Sequence, residues 1–157
     1  MQKLQFTIVI KAPANKVYRT MLGLDDIKTY ETWTYAFNPT STYKGTWEKD
    51  TKMYFIGTGE NGKQGGMVSI VEEHIANRFI SLRHVAALEG EKEITEGADL
   101  EKWAGGHENY AFEEINDATT VTVETDSPEG FEDYFNNTWP KALEKLKHIL
   151  EKPYRVD

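Results

Sequence analysis

Apolar and polar residues alternate at the start of the chain and then change to a helical spacing. Every second residue from 4 to 10 is apolar, which predicts a half-buried β-strand. Pro13 suits the first turn of a helix and Gly23 is a typical helix end, so we expect a helix between them. Either Asp25 or Asp26 can cap a second short helix over residues 27–33.

A succession of short strand-like segments fills the middle of the chain. Turn signals such as Asn61-Gly62 and Ala76-Asn77 separate them. Because these turns are short, neighbouring strands are expected to run antiparallel. The predicted strands cover residues 42–48, 52–58, 66–73, 79–85, 107–115 and 119–125.

One long segment, residues 86–106, interrupts this series and is rich in Asp and Glu. It carries the pattern of a short helix over residues 98–104, with Trp103 as its apolar anchor. Loops of this length are uncommon in compact domains and are often lids or binding loops. A solvent-exposed excursion without a binding role is the alternative interpretation.

The last part of the chain has the pattern of a long amphipathic helix. Apolar residues recur at helical spacing from Phe131 to Leu150, and charged residues occupy the other face. Such a helix must lie against an apolar surface. Pro140 predicts either a kink or a division into two abutting helices, and Pro153 is expected to end the element.

These elements predict one α+β domain. A chain of 157 residues suits a single domain with its own core. A sheet of about seven antiparallel strands would leave apolar surface exposed beside one long helix unless it curved around that helix. We therefore expect a curved sheet wrapped around the C-terminal helix, two short helices after the first strand, and an apolar cavity between sheet and helix.

Composition excludes several classes of function. The net charge is −8, from 26 acidic and 18 basic residues, which opposes binding to nucleic acids or to anionic membrane surfaces. The absence of cysteine excludes disulfides, thiolate metal sites and cysteine nucleophiles. No signal peptide and no transmembrane run is recognisable, so we expect a cytoplasmic protein without membrane insertion.

The motifs for cofactor and metal binding are weak. The stretch from Gly57 to Gly62 matches G-x-G-x-x-G, but a strand rather than a helix is expected next, so it predicts a hairpin turn and no dinucleotide. The four histidines share no ligand spacing, and we expect neither a metal nor another cofactor.

His84 is the one histidine that shares an apolar strand face, with Ile80 and Leu82. It is interpreted either as a hydrogen-bonded residue in or beside the core, or as a cavity residue that orients a ligand or acts as a base. Arg83 is expected on the opposite face. No serine elbow and no acid–base pair of carboxylates stands out.

Several motifs, in order, resemble those of a known superfamily. The first strand leads into Lys11-Ala12-Pro13 and then Lys16-Val17-Tyr18, which resembles the opening of START-like (SRPBCC, Bet v 1-like) domains. Three hairpins and the closing stretch from Trp139 to Lys147 follow the same order. The closing stretch is similar to the branch named after the activator of the Hsp90 ATPase (AHSA1-like).

This resemblance spans nearly the whole chain and implies a helix-grip fold with a cavity between sheet and long helix. It implies no common chemistry, because members of the superfamily include carriers, cyclases and a co-chaperone domain. The eukaryotic co-chaperone has a separate N-terminal Hsp90-binding domain, which nothing before Leu4 could supply, so we expect no Hsp90 interaction.

Three functions remain open at this point. We expect a binding module for a small hydrophobic or amphipathic ligand, acting as a monomer or weak homodimer. The alternatives are a cyclase-, aromatase- or hydrolase-like enzyme in the same cavity, and a stress or chaperone accessory module. The residues predicted to line the cavity are Trp33, Trp47, Phe55, Met67, Ser69, Leu82, His84, Tyr110, Phe112, Phe135, Trp139 and Leu143.

Overall fold

A computed structural model describes residues 1–151. The strands are β1 (Gln2–Ile10), β2 (Thr42–Lys44), β3 (Lys52–Thr58), β4 (Gln64–Ile75), β5 (Phe79–Glu89), β6 (Lys92–Ile94), β7 (His107–Ile115) and β8 (Ala118–Ser127). The helices are α1 (Ala14–Leu22), α2 (Ile27–Thr34), α3 (Ala98–Glu101) and α4 (Glu132–Glu151).

The strands form one curved antiparallel sheet that stays open. Its order is β1-β8-β7-β5-β4-β3-β2, and β6 pairs with β5 outside this path. The first strand lies beside the last one, with Phe6 opposite Val123. α4 packs against β1 and α2. This arrangement confirms the predicted α+β helix-grip architecture.

The local signals mark the bounds of the first two helices as predicted, except that Pro13 precedes α1 instead of lying in its first turn. Gly23 is the C-terminal cap of α1. Its φ of 70° lies in the left-handed region, which glycine adopts without steric strain. Pro13 is the residue immediately before α1, and its carbonyl accepts the Val17 N–H at 3.1 Å. Asp26 is the cap of α2, because its carboxylate accepts the Lys28 N–H at 3.0 Å.

β2 is shorter than predicted and ends at Lys44. Gly45 follows with a φ of 139°, and a Cβ there would lie 2.4 Å from the Met53 sulfur. Trp47 has a φ of 65° and lies outside the strand, with its indole N–H donating to the Leu22 carbonyl at 3.1 Å. The chain therefore leaves the sheet to bury this indole.

The segment 86–106 is mostly not a loop, which corrects the prediction. β5 continues to Glu89 and forms a hairpin with β6. Glu93 of β6 pairs with Lys52 at 3.1 Å, so part of the acidic composition serves this hairpin. The remaining stretch contains α3 and returns to β5, where the His84 N–H donates to the Gly106 carbonyl at 2.9 Å.

The C-terminal element is one helix, so the division into two helices at Pro140 is wrong. Pro140 is exposed, and the carbonyl that it leaves unpaired can be reached by water. Pro153, predicted to end the helix, lies outside the described residues. No helix within residues 1–151 is long and apolar enough to cross a membrane.

We expect Gly66→Ala to lower the free energy of unfolding by at least about 3 kcal/mol, because an added Cβ has no space. Gly66 has a φ of 152°, and its Cβ would lie 1.8 Å from the Phe55 carbonyl oxygen on β3. Urea unfolding followed by circular dichroism measures the loss.

Gly90→Ala is the matched control. Gly90 also has a positive φ, 62°, but a Cβ there meets no heavy atom within 4 Å. Its replacement should cost only about 1–2 kcal/mol, the penalty of the left-handed backbone alone. Equal losses for the two variants would contradict the proposed clash.

Candidate functional site

A cavity of about 390 Å³ lies between the concave face of the sheet, α2 and the first half of α4. α2 contributes Trp33, α4 contributes Phe135 and Trp139, and the sheet contributes Phe55 and Tyr110. This volume falls within the range of known small-molecule sites, about 300–1,000 Å³.

Trp139 is the centre of the aromatic wall. Its ring centroid lies 4.9 Å from that of Phe37, 5.8 Å from that of Trp33 and 6.3 Å from that of Tyr110. The Trp33 indole N–H donates to the Met21 carbonyl at 2.8 Å, which fixes that ring from behind. The wall is therefore rigid before any ligand enters.

Glu108 and Tyr110 form a polar pair on the cavity wall. They lie two residues apart on β7, so both side chains point to the same face of the sheet, the concave one. The Tyr110 hydroxyl donates to Oε2 of Glu108. Glu108 keeps some accessible surface because it faces the cavity, but protein encloses it, and this burial raises the pKa of its carboxyl. Burial is the main reason that the pKa of Tyr110 is raised, and the neighbouring carboxylate of Glu108 raises it further.

His84 lies in the same wall and is only 8% exposed. Its Nδ1 is 2.8 Å from Oγ of Ser69, so Nε2 is the ring nitrogen available to a ligand. Burial and, to a smaller extent, the nearby His107 lower the pKa of His84 to about 4, against the opposing effect of Asp126. The imidazole is therefore neutral at pH 7, and its ring orientation is set from behind.

The cavity opens to an outer groove of about 590 Å³ beside the β3–β4 hairpin. Trp103, from the segment after α3, lines both the cavity and the groove and packs edge-on against His84 at 6.3 Å. Phe131 and Tyr134 lie on the α4 side of the cavity and are 50% and 44% exposed. The mouth is thus bordered by aromatic side chains that are accessible from outside.

A second groove, of about 680 Å³, lies at the far end of the β3–β4 hairpin. Its lining includes Asn61, Lys63, Gln64 and Glu89 but no aromatic ring. Despite its volume it lacks the convergent apolar walls of a small-molecule site. The aromatic cavity is the better candidate site.

The predicted site residues divide into two groups. The structure brings part of the set together in the cavity wall: Trp33, Phe55, Met67, His84, Tyr110, Phe135 and Trp139. The others, Trp47, Ser69, Leu82, Phe112 and Leu143, are buried outside the lining. Most of these five share the concave side of the fold but lie where it is packed solid, and Ser69 lies behind His84.

Several lining residues were missed at the level of sequence. Glu108 carried a usable signal, because the alternation that points Tyr110 inward also points Glu108 inward. Trp103 was recognised as an anchor, but its place at the cavity was not predicted. Pro140 is not part of the lining.

The glycine-rich stretch and two other histidines, His74 and His107, have structural roles. The glycine-rich stretch is a turn between β3 and β4, closed by a Gly62 N–H to Gly59 carbonyl bond of 2.9 Å. His74 contacts the Tyr18 hydroxyl and the Trp47 carbonyl, and His107 pairs with Glu72. Within residues 1–151, no group of three His, Asp or Glu side chains is placed to hold a metal ion.

Solved structures share this fold across nearly the whole chain. The solution structure of the Aha1 dimer from Colwellia psychrerythraea matches with a TM-score of 0.68 and 21% identity, over 96% of this chain and 97% of that one. Protein Ms6760 from Mycobacterium smegmatis matches with a TM-score of 0.70 and 14% identity, over 98% and 93%.

DynU16, a putative protein in the dynemicin biosynthetic locus, matches with a TM-score of 0.66 and 13% identity, over 96% of this chain and 48% of that one. No protein-family model and no curated protein sequence matches the chain. At these identities the comparisons show a fold like that of Aha1, and the function must be argued from the site.

Replacing His84 should make the protein less sensitive to acid. Because the folded-state pKa of about 4 lies below the usual 6.5, the unfolded chain takes up the proton first as the pH falls. Stability is then lost on the way down, by roughly 2 kcal/mol between pH 7 and pH 5. We expect His84→Gln to lack this part of the loss in urea unfolding at the two pH values.

His148→Gln is the control, because His148 is exposed on α4. It should lose as much stability between pH 7 and pH 5 as the unmodified protein. The interpretation of His84 is wrong if both variants lose stability equally.

Proposed function

We propose that this protein is a START-like binding protein of the Aha1-like branch, which holds a small hydrophobic or amphipathic molecule between its sheet and α4. The observation that carries the proposal is the aromatic cavity of about 390 Å³ with Glu108, Tyr110 and His84 among its polar groups. Apolar walls with a few convergent polar groups are typical of ligand sites.

The rigidity of the walls supports binding rather than a loosely packed core. Tyr30 packs edge-on against Tyr43 at 4.8 Å, and the Tyr43 hydroxyl donates to the Leu22 carbonyl at 2.7 Å. These contacts hold the rings on the side that faces away from the cavity. A preformed site loses little conformational entropy when a ligand enters, so more of the contact energy appears as affinity.

A chaperone accessory role has less support. Such a module is expected to expose a sizeable continuous apolar patch. The exposed large apolar residues away from the cavity mouth include Val9, Ile27, Ile75 and Ile115, which lie on four different elements. This number of exposed apolar residues is normal on protein surfaces and does not by itself indicate a partner.

The direct test is native mass spectrometry of the purified protein, followed by extraction and identification of any co-purified small molecule. A thermal-shift screen against lipids, fatty acids and aromatic polyketides supplements it, because binding to the folded state alone raises the midpoint of unfolding. The proposal fails if no adduct is present and no compound in the screen raises the midpoint.

Removal of an aromatic ring at the mouth should weaken binding without unfolding the protein. Phe131 lines the cavity and is 50% exposed, so Phe131→Ala removes contact with the ligand but little core packing. We expect about a fivefold loss of affinity, equivalent to about 1 kcal/mol of apolar contact. Isothermal titration calorimetry with the best compound of the screen measures the loss.

Ile75→Ala is the matched control, because Ile75 is 49% exposed at the end of β4 and does not line the cavity. Its affinity should equal that of the unmodified protein. A similar loss in both variants would point to a general effect on the fold and would contradict binding at the proposed mouth.

A second candidate is acid–base catalysis on the bound molecule, with His84 as the base. One observation favours it: the neutral imidazole, oriented by Ser69, lines the same cavity as the enclosed carboxyl of Glu108. Incubation of the protein with the identified ligand, followed by mass spectrometry, tests for conversion. Catalysis predicts a product that His84→Gln does not form, and unchanged ligand would exclude it.

A further inference from the structure

The charges around the cavity are all of one sign. Two carboxyl side chains, Glu108 and Asp126, are part of the lining. Among the described residues that line the cavity there is no Lys or Arg, and His84 is neutral at pH 7 because burial lowers its pKa to about 4. A cavity with only acidic charges favours a cationic ligand over an anionic one.

The two carboxyls differ in how well the protein satisfies them. Asp126 accepts the His107 backbone N–H at 2.8 Å and lies 3.9 Å from Nδ1 of the same residue. Glu108 has a partner for one oxygen, the Tyr110 hydroxyl on Oε2. Within residues 1–151, the bond from Tyr110 to Oε2 is the hydrogen bond that the Glu108 side chain makes, and because Glu108 lines the cavity, Oε1 is left for a ligand.

Aromatic rings border the same space as this unpaired oxygen. Tyr30 and Trp33 reach it from α2, and Trp139 from α4, with Trp33 and Tyr30 packed edge-on at 5.5 Å. The faces of such rings attract an ammonium group through their quadrupoles, and tryptophan does so most strongly. A carboxyl group and aromatic rings that line the same cavity form an arrangement that suits an organic cation.

We propose, on the basis of the proposed ligand site, that the cavity selects a hydrophobic amine whose ammonium group donates to Glu108 and lies against the rings of Trp33 and Trp139. The apolar part of the amine occupies the rest of the cavity toward Phe55 and Phe135. The ammonium group provides a charged hydrogen-bond donor for Oε1 of Glu108, which the cavity lining does not provide.

The environment of Glu108 explains why a neutral ligand is a poorer match. The titratable groups that face it are Tyr110 on its own strand and Tyr30 on α2. Both phenols are uncharged at pH 7, and burial raises the pKa of each still further above its ordinary value. An enclosed carboxylate without a cation is costly, so burial raises the pKa of Glu108. An alcohol leaves that cost in place, whereas an ammonium removes it.

An anionic amphiphile is the competing class, because Lys63 lines the outer groove. Lys63 does not line the cavity itself, so it could reach only a head group that stays outside. A hydrophobic acid would then bind with its head at the mouth. Comparison of an amine with its matched acid distinguishes the two orientations.

Calorimetric titration with three indoles of similar size tests the inference: tryptamine, tryptophol and indole-3-acetate. At pH 7 we expect tryptamine to bind at least tenfold more tightly than tryptophol, and indole-3-acetate to bind most weakly. Equal affinities for amine and alcohol, or tighter binding of the acid, would overturn the inference.

The variant Glu108→Gln keeps the shape of the side chain and removes its charge. In this variant the affinity for tryptamine should fall to that for tryptophol, so that the preference for the amine disappears. Glu113→Gln is the control, because Glu113 is exposed on the same strand and its replacement changes the net charge equally. A tryptamine preference that survives in Glu108→Gln, or is lost equally in Glu113→Gln, would overturn the assignment to Glu108.

Proton release from the unmodified protein decides the question if Glu108→Gln does not fold. A bound ammonium lowers the raised pKa of Glu108, so tryptamine should expel a proton wherever that carboxyl is still protonated. Titrations in buffers of different ionisation enthalpy should show more release at pH 5 than at pH 8. No release at either pH would overturn the inference.

Failure of this inference is distinguishable from failure of the proposed function. If the cavity binds ligands without a preference for amines, tryptophol or indole-3-acetate still binds and Phe131→Ala still weakens that binding. If the cavity is not a ligand site, none of the indoles and no compound of the thermal-shift screen binds, and both proposals fall together.

Discussion

The packing of α4 across the open sheet is the constraint on which the rest of the structure depends. An open sheet of this size must cover one apolar face, and α4 covers it with a stripe that includes Trp139, Leu143 and Leu146. At the Leu146 end the helix and sheet meet in a solid core. At the Trp139 end α2 and large aromatic rings hold them apart. The cavity is a consequence of this difference between the two ends of one helix.

The same arrangement explains why polar side chains can lie in the interior without a large free-energy cost. Glu108, His84 and Tyr110 would be expensive in the solid part of the core, where nothing could reach their free atoms. At the cavity wall each has one protein partner and one open direction: Ser69 satisfies Nδ1 of His84, and Tyr110 satisfies one oxygen of Glu108. Burial lowers the pKa of His84 and raises that of Glu108, so the neutral form of each group is favoured. A neutral group costs less free energy in the interior than a charged one.

Sequence pattern predicted the architecture because periodicity reports which face of an element is covered. The helix-grip arrangement, the ends of α1 and the cap of α2 all followed from local signals. Periodicity does not report how far apart two covered faces lie. Leu82, Phe112 and Leu143 were assigned to the correct side of the fold but not to its packed end, and β6 was missed because a strand of three residues has too little pattern.

Glu108 shows a different limit, because its direction could be read from the sequence and its environment could not. On β7 the residues at even positions from 108 to 114 face the helices, so Glu114 points inward too. Glu114 lies near α1 and accepts the Ala14 N–H at 2.7 Å, which gives it a role in holding that helix. Glu108 lies at the other end of the strand, over the cavity, where no backbone N–H within residues 1–151 donates to it. Two glutamates on the same face of one strand therefore differ in exposure and in what the fold places opposite them, and that difference separates a structural contact from a candidate binding group.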